Sequence, residues 1–236
     1  MYSLNALEHH WLSTEQSFGD SFADCLAVFR EMFRCASRVG SALTGRKALE
    51  PNCAFVLLTK VQNHASATFV LLKRGLLVDA ALTCRNAVET SLLIELLAKE
   101  PPLCEAWSRG EQFRPSRVRK RLAELPSVSV GDMIIEVTPD EYEDARFAYD
   151  WMSRISHANV ESVRHAAEQK GANNFELKIG GALSRPEIVA VTKVLGTCCL
   201  RALLTCAAVY APELLHHRVF DEFRKQLHDV RVEVGA

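Results

Sequence analysis

The stretch LLVDAALTCRNAVETSLLIELLAKE, Leu76–Glu100, decides how the rest of the chain is read. At about 100° per residue, Val78, Leu82, Leu93 and Leu96 fall on one helix face, and Leu77, Ala81, Cys84 and Val88 fall on the next. So wide an apolar surface calls for partners on two sides, which predicts a central helix of an all-α domain. The first face also carries Arg85 and Glu89, four residues apart, with Asn86 and Asp79 nearby. Charged groups on a core-facing surface are costly unless paired. Two readings stay open: an internal ion pair that fixes helix register, or the floor of a polar site.

Outward from this helix, the flanking segments keep the same period. Phe18, Phe22, Cys25, Phe29, Phe33, Ala36 and Leu43 predict a long helix from about Thr14 to Leu43. A second helix is expected over Asn52–Lys73, after a loop bracketed by Gly45 and Pro51. Its core positions are Phe55, Leu58, Val61, Ala65, Phe69 and Leu72, and its middle (Gln62, Asn63, His64, Ser66, Thr68) is polar. Gly75 separates this helix from the central one, and Pro101-Pro102 ends the latter. A segment helical in two pieces around Gly110 and Pro115 follows. It carries the one dense basic cluster, Arg109, Arg114, Arg117, Arg119, Lys120 and Arg121, read either as a solvated face or as a phosphate-contacting one.

Further on, Met133–Val137 reads as a short strand. Thr138, Pro139 and Glu141 form a capping box that opens a helix through Tyr142, Ala145, Tyr149 and Met152 to about Ser156. Another helical stretch is expected to reach Lys170 and stop at Gly171. Residues 173–183, with Phe175, Leu177 and Ile179 alternating against polar residues, predict a short β-hairpin or extended arm. Ser184 and Glu187 cap a near-uniformly apolar helix to about Tyr210, expected to be buried in the bundle or in a dimer interface. Pro212 is expected to open a last amphipathic helix to about His228. The whole is an all-α, single-domain helical bundle of about six to eight helices over residues 1–236, with its core over about 14–210 and a C-terminal helix and tail over 211–236.

Composition bounds the function. The 236 residues are 48% hydrophobic and 24% charged with a net charge of −1, so no global field recruits nucleic acid. The longest apolar runs, AFVLL and LLTCAAVYA, fall short of a membrane span. The start MYSLNALEHHW has no basic residue followed by an apolar run, which predicts no signal peptide and a cytoplasmic protein. The eight cysteines form no C-x-x-C pair and read as small core residues. His157, Glu161 and His165 would share a face only on a continuous helix, and Asn159 is expected to start a new one, so no metal site is assigned. A serine-hydrolase elbow, a Walker-type loop and a dinucleotide fingerprint are absent.

The remaining constellation is Arg85, Asn86 and Glu89 with Tyr149, Ser153 and His157 in Y-x-x-x-S-x-x-x-H. This pattern, over roughly residues 50–165, resembles uncharacterised bacterial proteins placed in the HEPN superfamily. The resemblance implies an all-α bundle, a homodimer, and a metal-independent ribonuclease of a toxin–antitoxin or phage-defence system, with RNA or a nucleotide as ligand and an antitoxin as partner protein. It implies no cofactor and no membrane. The family's signature is an Arg followed by a polar residue and then a His; Arg85-Asn86 looks like its first half. The positions expected for His hold Thr90, Ser91 and Leu92, so His157 is the residue that would replace it. On this reading His157 is the general acid or base. Arg85 stabilises phosphate charge, and Glu89 orients Arg85. Asn86, Ser153, Arg117, Arg119, Lys120 and Arg121 bind substrate. The alternative is a catalytically silent nucleotide- or protein-binding module, in which Arg85–Glu89 is architecture.

Overall fold

The computed structural model describes residues 9, 12–16, 18, 22–125, 129–130, 133–134, 150, 152–154, 167–171, 174–177 and 185–230. Its α-helices are α1 (Ala23–Leu43), α2 (Leu49–Lys73), α3 (Leu77–Lys99), α4 (Leu103–Ser108), α5 (Pro115–Glu124), α6 (Arg185–Tyr210) and α7 (Arg218–Asp229). The fold is all-α. Among the described residues the strands pair as two antiparallel hairpins, Ser129–Val130 with Met133–Ile134 and Ala167–Gly171 with Asn174–Leu177.

The centre of the bundle is α3, which packs along α2 and across α6. Leu77, Ala81, Cys84 and Val88, the face expected to be core, are all buried. The other expected face is only partly covered: Leu96 is buried, Val78 and Leu93 are half-buried, and Leu82 is 42% exposed. Thr68, buried on α2, and Thr83, half-buried on α3, tie the two helices by a hydroxyl–hydroxyl hydrogen bond of 2.9 Å, beside the bonds that each hydroxyl makes to a carbonyl of its own helix. The turn between these helices needs glycine. Gly75 has φ +75°, donates to the Leu72 carbonyl at 3.0 Å, and lets Leu76 donate to Leu71 at 2.9 Å. That is a Schellman motif, closing two helix-end carbonyls at once.

Several boundaries differ from expectation for physical reasons. The first long helix is interrupted: residues 12–16 are helical, but Phe22 has φ −130° and ψ 34°, and α1 starts at Ala23. The Phe18 and Phe22 rings, 4.8 Å apart, fill that corner. Helix α2 starts three residues early, at Leu49, because Pro51 lies in the first turn, where its missing amide costs nothing. Phe55, expected in the core, is 37% exposed, at the edge of the bundle, where its Cε2 would lie 3.8 Å from a Cβ on Gly40 of α1. Pro212 opens only a 3₁₀ turn, since Leu214 and Leu215 are drawn into the core. Helix α7 starts at Arg218, where His217 caps it by accepting from the Val219 amide at Nδ1 (3.2 Å). Ala167–Gly171, expected as helix, is a strand. The hairpin therefore begins before the expected arm at 173–183. The helix opened by Thr138 lies outside the described residues except at 150 and 152–154, which are helical.

Helix α6 crosses the bundle against α3, α1, α2 and α7. By length and composition it could cross a membrane, against the expectation from its shorter uninterrupted runs, yet 72% of its most apolar window is buried inside the protein. Its approach to α1 and α7 is close. A Cβ on Gly196 would lie 2.7 Å from Leu227 Cδ1 and 3.3 Å from Val28 Cγ1. Arg185 at its start reaches Asp24 at the start of α1, 2.5 Å away. The apolar face that suggested a dimer interface is thus used within the chain.

Candidate functional site

The Arg85–Glu89 pair forms on α3. Arg85 Nε donates to Glu89 Oε1 at 3.0 Å, and the two side chains are 25% and 20% exposed. Residues four apart on a helix are neighbours, and the partly open face that holds them leaves the pair in contact with solvent. A pair in that position is held weakly, by well under a kcal/mol to about 1 kcal/mol. Asn86, beside it, is half-buried, and its backbone carbonyl accepts the Thr90 hydroxyl at 2.8 Å. Asp79 is exposed.

Of the three positions where the resemblance expects a histidine, Leu92 is half-buried. Thr90 and Ser91 are 6% and 3% exposed and face the core. On the Arg85 side the next positions along α3 are Glu89 and Leu93. Ser153 is half-buried on a helical turn whose Met152 is fully buried in the core. His157 lies outside the described residues, as do Glu161 and His165. Among the described residues no group of three His, Cys, Asp or Glu side chains is arranged to hold a metal.

The basic cluster divides. Helix α5 docks on α3 through Val118 and Leu122 against Leu96, which turns Arg117, Arg119 and Lys120 to solvent. Arg121 instead pairs with carboxylates: its Nε donates to both Glu100 oxygens at 3.0 and 3.1 Å, and its Nη1 reaches Glu124 at 3.4 Å. The Arg121 hydrogen bond and charge hold the Glu100 carboxyl below its ordinary pKa. Arg109 lies between Glu105 (3.3 Å) and Glu111 (3.7 Å). The surface thus exposes Arg117, Arg119 and Lys120 on α5, while Arg121 on the same helix and Arg109 before it are held by carboxylates.

A second ionic cluster, more deeply buried than the first, lies at the α3–α6 seam. Glu95 takes Arg201 Nη2 on Oε1 and Arg201 Nε on Oε2, each at 2.6 Å, and Lys99 Nζ on Oε1 at 2.8 Å. The Glu95 and Lys99 side chains are 4% and 9% exposed; that of Arg201 is 28% exposed. Burial alone would raise the Glu95 pKa. The hydrogen bonds and charges of Arg201, then of Lys99, outweigh it and hold the carboxyl below its ordinary value. None of these three residues stands out by motif. The signal is that Glu95 is the single acid within LLIELLA, and Arg201 the single charge between Lys193 and Glu213.

The cysteines are thiols, and all but Cys198 are buried. Burial pushes Cys25 up to about 11, and Cys35, Cys104 and Cys206 to about 12, far from thiolate chemistry at neutral pH. They serve as packing. His64, half-buried in the polar middle of α2, has its pKa lowered by burial and by Lys60.

Fold and side chains together define an all-α bundle with two ion-paired stations on its central helix, one partly open and one closed. Set against known protein families, curated proteins and solved structures, the chain matches none.

Proposed function

We propose that the chain is a HEPN-like helical protein that cleaves RNA without a metal, as the toxin of a toxin–antitoxin or phage-defence system in the cytoplasm. The observation that supports this is the Arg85–Glu89 pair, partly open on the less covered face of the central helix. In this reaction His157 takes the proton from a ribose 2′-hydroxyl, whose oxygen attacks the neighbouring phosphorus. The P–O5′ bond breaks and the 5′-oxygen takes a proton from water, giving a 2′,3′-cyclic phosphate. Arg85 stabilises the charge that builds on the phosphorus centre, with Glu89 fixing its Nε. Asn86 and Ser153 contact the substrate near the reacting centre. Arg117, Arg119, Lys120 and Arg121 draw in the backbone.

A second reading, a catalytically silent nucleotide- or protein-binding module, is favoured by one arrangement. Two of the three positions where the resemblance expects a histidine, Thr90 and Ser91, face the core, and Arg121 is engaged by Glu100. The experiment that separates the two is incubation of single-stranded RNA with the purified protein in EDTA, beside growth of cells overexpressing it. The ribonuclease reading expects cleavage and toxicity, both lost in Arg85→Ala and His157→Ala variants that keep the wild-type melting temperature within a few degrees. Inert RNA and unaffected growth would leave the binding module standing.

A homodimer belongs to the same proposal. With α6 occupied internally, the surface that suits it is the outer side of α2, where Phe55, Val56 and Val70 are exposed and Lys60 is the one Lys, Arg, Asp or Glu between Glu50 and Lys73. Interfaces are depleted of charge at their centres in this way. Light scattering should report twice 26.3 kDa for the wild type and a shift toward 26.3 kDa for Val56→Glu.

A further inference from the structure

The turn at Gly75 folds α3 back along α2, so the two helices run antiparallel, and the 2.9 Å bond between the Thr68 and Thr83 hydroxyls fixes their register. One turn further from Gly75, that register sets His64 on α2 level with Asn86 on α3. Both lie on the same side of the helix pair. At about 100° per residue, Phe69 leans from Thr68 toward α1, where its ring meets Phe29 at 4.9 Å, and His64 falls on the opposite flank. Cys84 leans from Thr83 toward α6, its thiol donating to the Val191 carbonyl at 3.8 Å, and Asn86 falls on the opposite flank. Helices α1 and α6 pack on each other beneath the pair, so the two opposite flanks border one outer furrow. His64 and Asn86 are each half-buried there and Leu82 is 42% exposed. Glu89, one turn on from Asn86, accepts from Arg85 Nε at 3.0 Å.

We infer that His64 and Asn86 hold an unpaired nucleobase of the strand whose phosphate Arg85 meets. The inference rests on reading the Arg85 face as an RNA site, and it names what that site grips beside the phosphate. An imidazole offers a flat ring on which a base stacks, the way single-stranded RNA is commonly gripped. Burial, and then the charge of Lys60 four residues earlier on the same helix, lower the His64 pKa, which favours the neutral ring at pH 7. The Asn86 carboxamide presents a donor and an acceptor side by side, the pattern that matches the edge of adenine. Leu82, on the same flank of α3 as Asn86, adds exposed apolar surface for the face of the base.

The test is calorimetric titration of the full chain in EDTA with adenosine 5′-monophosphate and, as the probe without a base, ribose 5-phosphate. The expected result is saturable binding of the nucleotide in the millimolar range or tighter. Ribose 5-phosphate should bind about tenfold or more weakly, the scale of one base–ring stack. His64→Ala should bring the nucleotide down to the level of ribose 5-phosphate, and His64→Phe, which keeps a ring, should retain most of the difference. Arg85→Ala should weaken both probes alike. Equal affinity for the two probes, a difference that survives in His64→Ala, or no saturable heat from the nucleotide up to tens of millimolar overturns the inference. Should His64→Ala fail to fold, proton NMR of the wild type decides. The His64 ring resonances should shift with the nucleotide and not with ribose 5-phosphate, and resonances that stay in place overturn it. The cleavage reading fails separately: RNA left intact by a chain that still prefers the nucleotide through His64 removes the ribonuclease and keeps the base contact.

Discussion

Replacing Glu95 by Gln keeps the volume and removes the charge that two cations share. In the folded protein Arg201 and Lys99 then face each other across a neutral amide, with Lys99 almost fully enclosed. Taking one partner from a buried ion pair costs about 3–5 kcal/mol. The 28% exposure of Arg201 lets water screen part of the loss, which points to the lower end of that range. For a chain of this size about 1 kcal/mol corresponds to about 2–4 °C, so a fall of about 6–12 °C is expected. Glu89→Gln is the control on the same helix. Its pair with Arg85 is 20–25% exposed on both sides, and i,i+4 pairs of that kind contribute about 0.3–0.5 kcal/mol, a change of at most about 2 °C. Thermal unfolding followed by circular dichroism at pH 7 reads both. A triple change, Glu95→Leu with Lys99→Met and Arg201→Met, should recover most of the loss, because apolar residues of similar volume often replace a buried ionic cluster without penalty. If Glu95→Gln melts within about 2 °C of the wild type, or below Glu89→Gln by no more than that, the seam is not the buried electrostatic station described here.

Two further outcomes follow from the same geometry. The Glu95 carboxyl has a folded pKa lowered from 4.5, so the stability it contributes is full above pH 4.5 and is lost as the pH falls through the lower folded value. The melting-temperature gap between wild type and Glu95→Gln should therefore be constant from neutral pH down to about 5 and close in more acid solution; a gap that closes on the alkaline side contradicts the assignment. The thiols should be protected: of the eight cysteines, all but Cys198 are buried, and even Cys198 has its pKa pushed up to about 12 by burial. Ellman's reagent at pH 8 should react slowly with the native chain and fully in guanidinium, and rapid native labelling of two or more thiols would show that the packing of α6 is looser than described.

How far the sequence reaches can be judged element by element. The core face of α3 is legible because Leu77, Ala81, Cys84 and Val88 recur at the helical period and all are buried. The outer exposure of Phe55 is not, because α2 has apolar residues on every side and only its neighbours decide which side is inner. Ala167–Gly171 (AEQKG) reads as helix by propensity, since Ala, Glu, Gln and Lys all favour it. The strand forms through pairing with Asn174–Leu177, a tertiary gain that local preference does not carry. The reading of 157–165 concerns residues outside those described.

The two ion pairs on α3 show most clearly what separates legible from hidden. Arg85–Glu89 and Glu95–Lys99 have the same i,i+4 spacing, and composition alone makes the first conspicuous because Asn86 and Asp79 stand beside it. Phase tells them apart. Eleven residues make about three turns of an α-helix, so Glu95 lies almost directly in line with Cys84, on the face that the leucine and alanine spacing already assigns to the core. Arg85 and Glu89 lie in line with Leu82, which is 42% exposed. An acid on the buried stripe requires a cation from another element, and of the two mid-helix cations of α6, Lys193 is exposed and Arg201 supplies it. The buried acid and the partly exposed pair are thus told apart by angle along α3; the distance of 106 residues between Glu95 and Arg201 is what keeps their contact out of any local pattern.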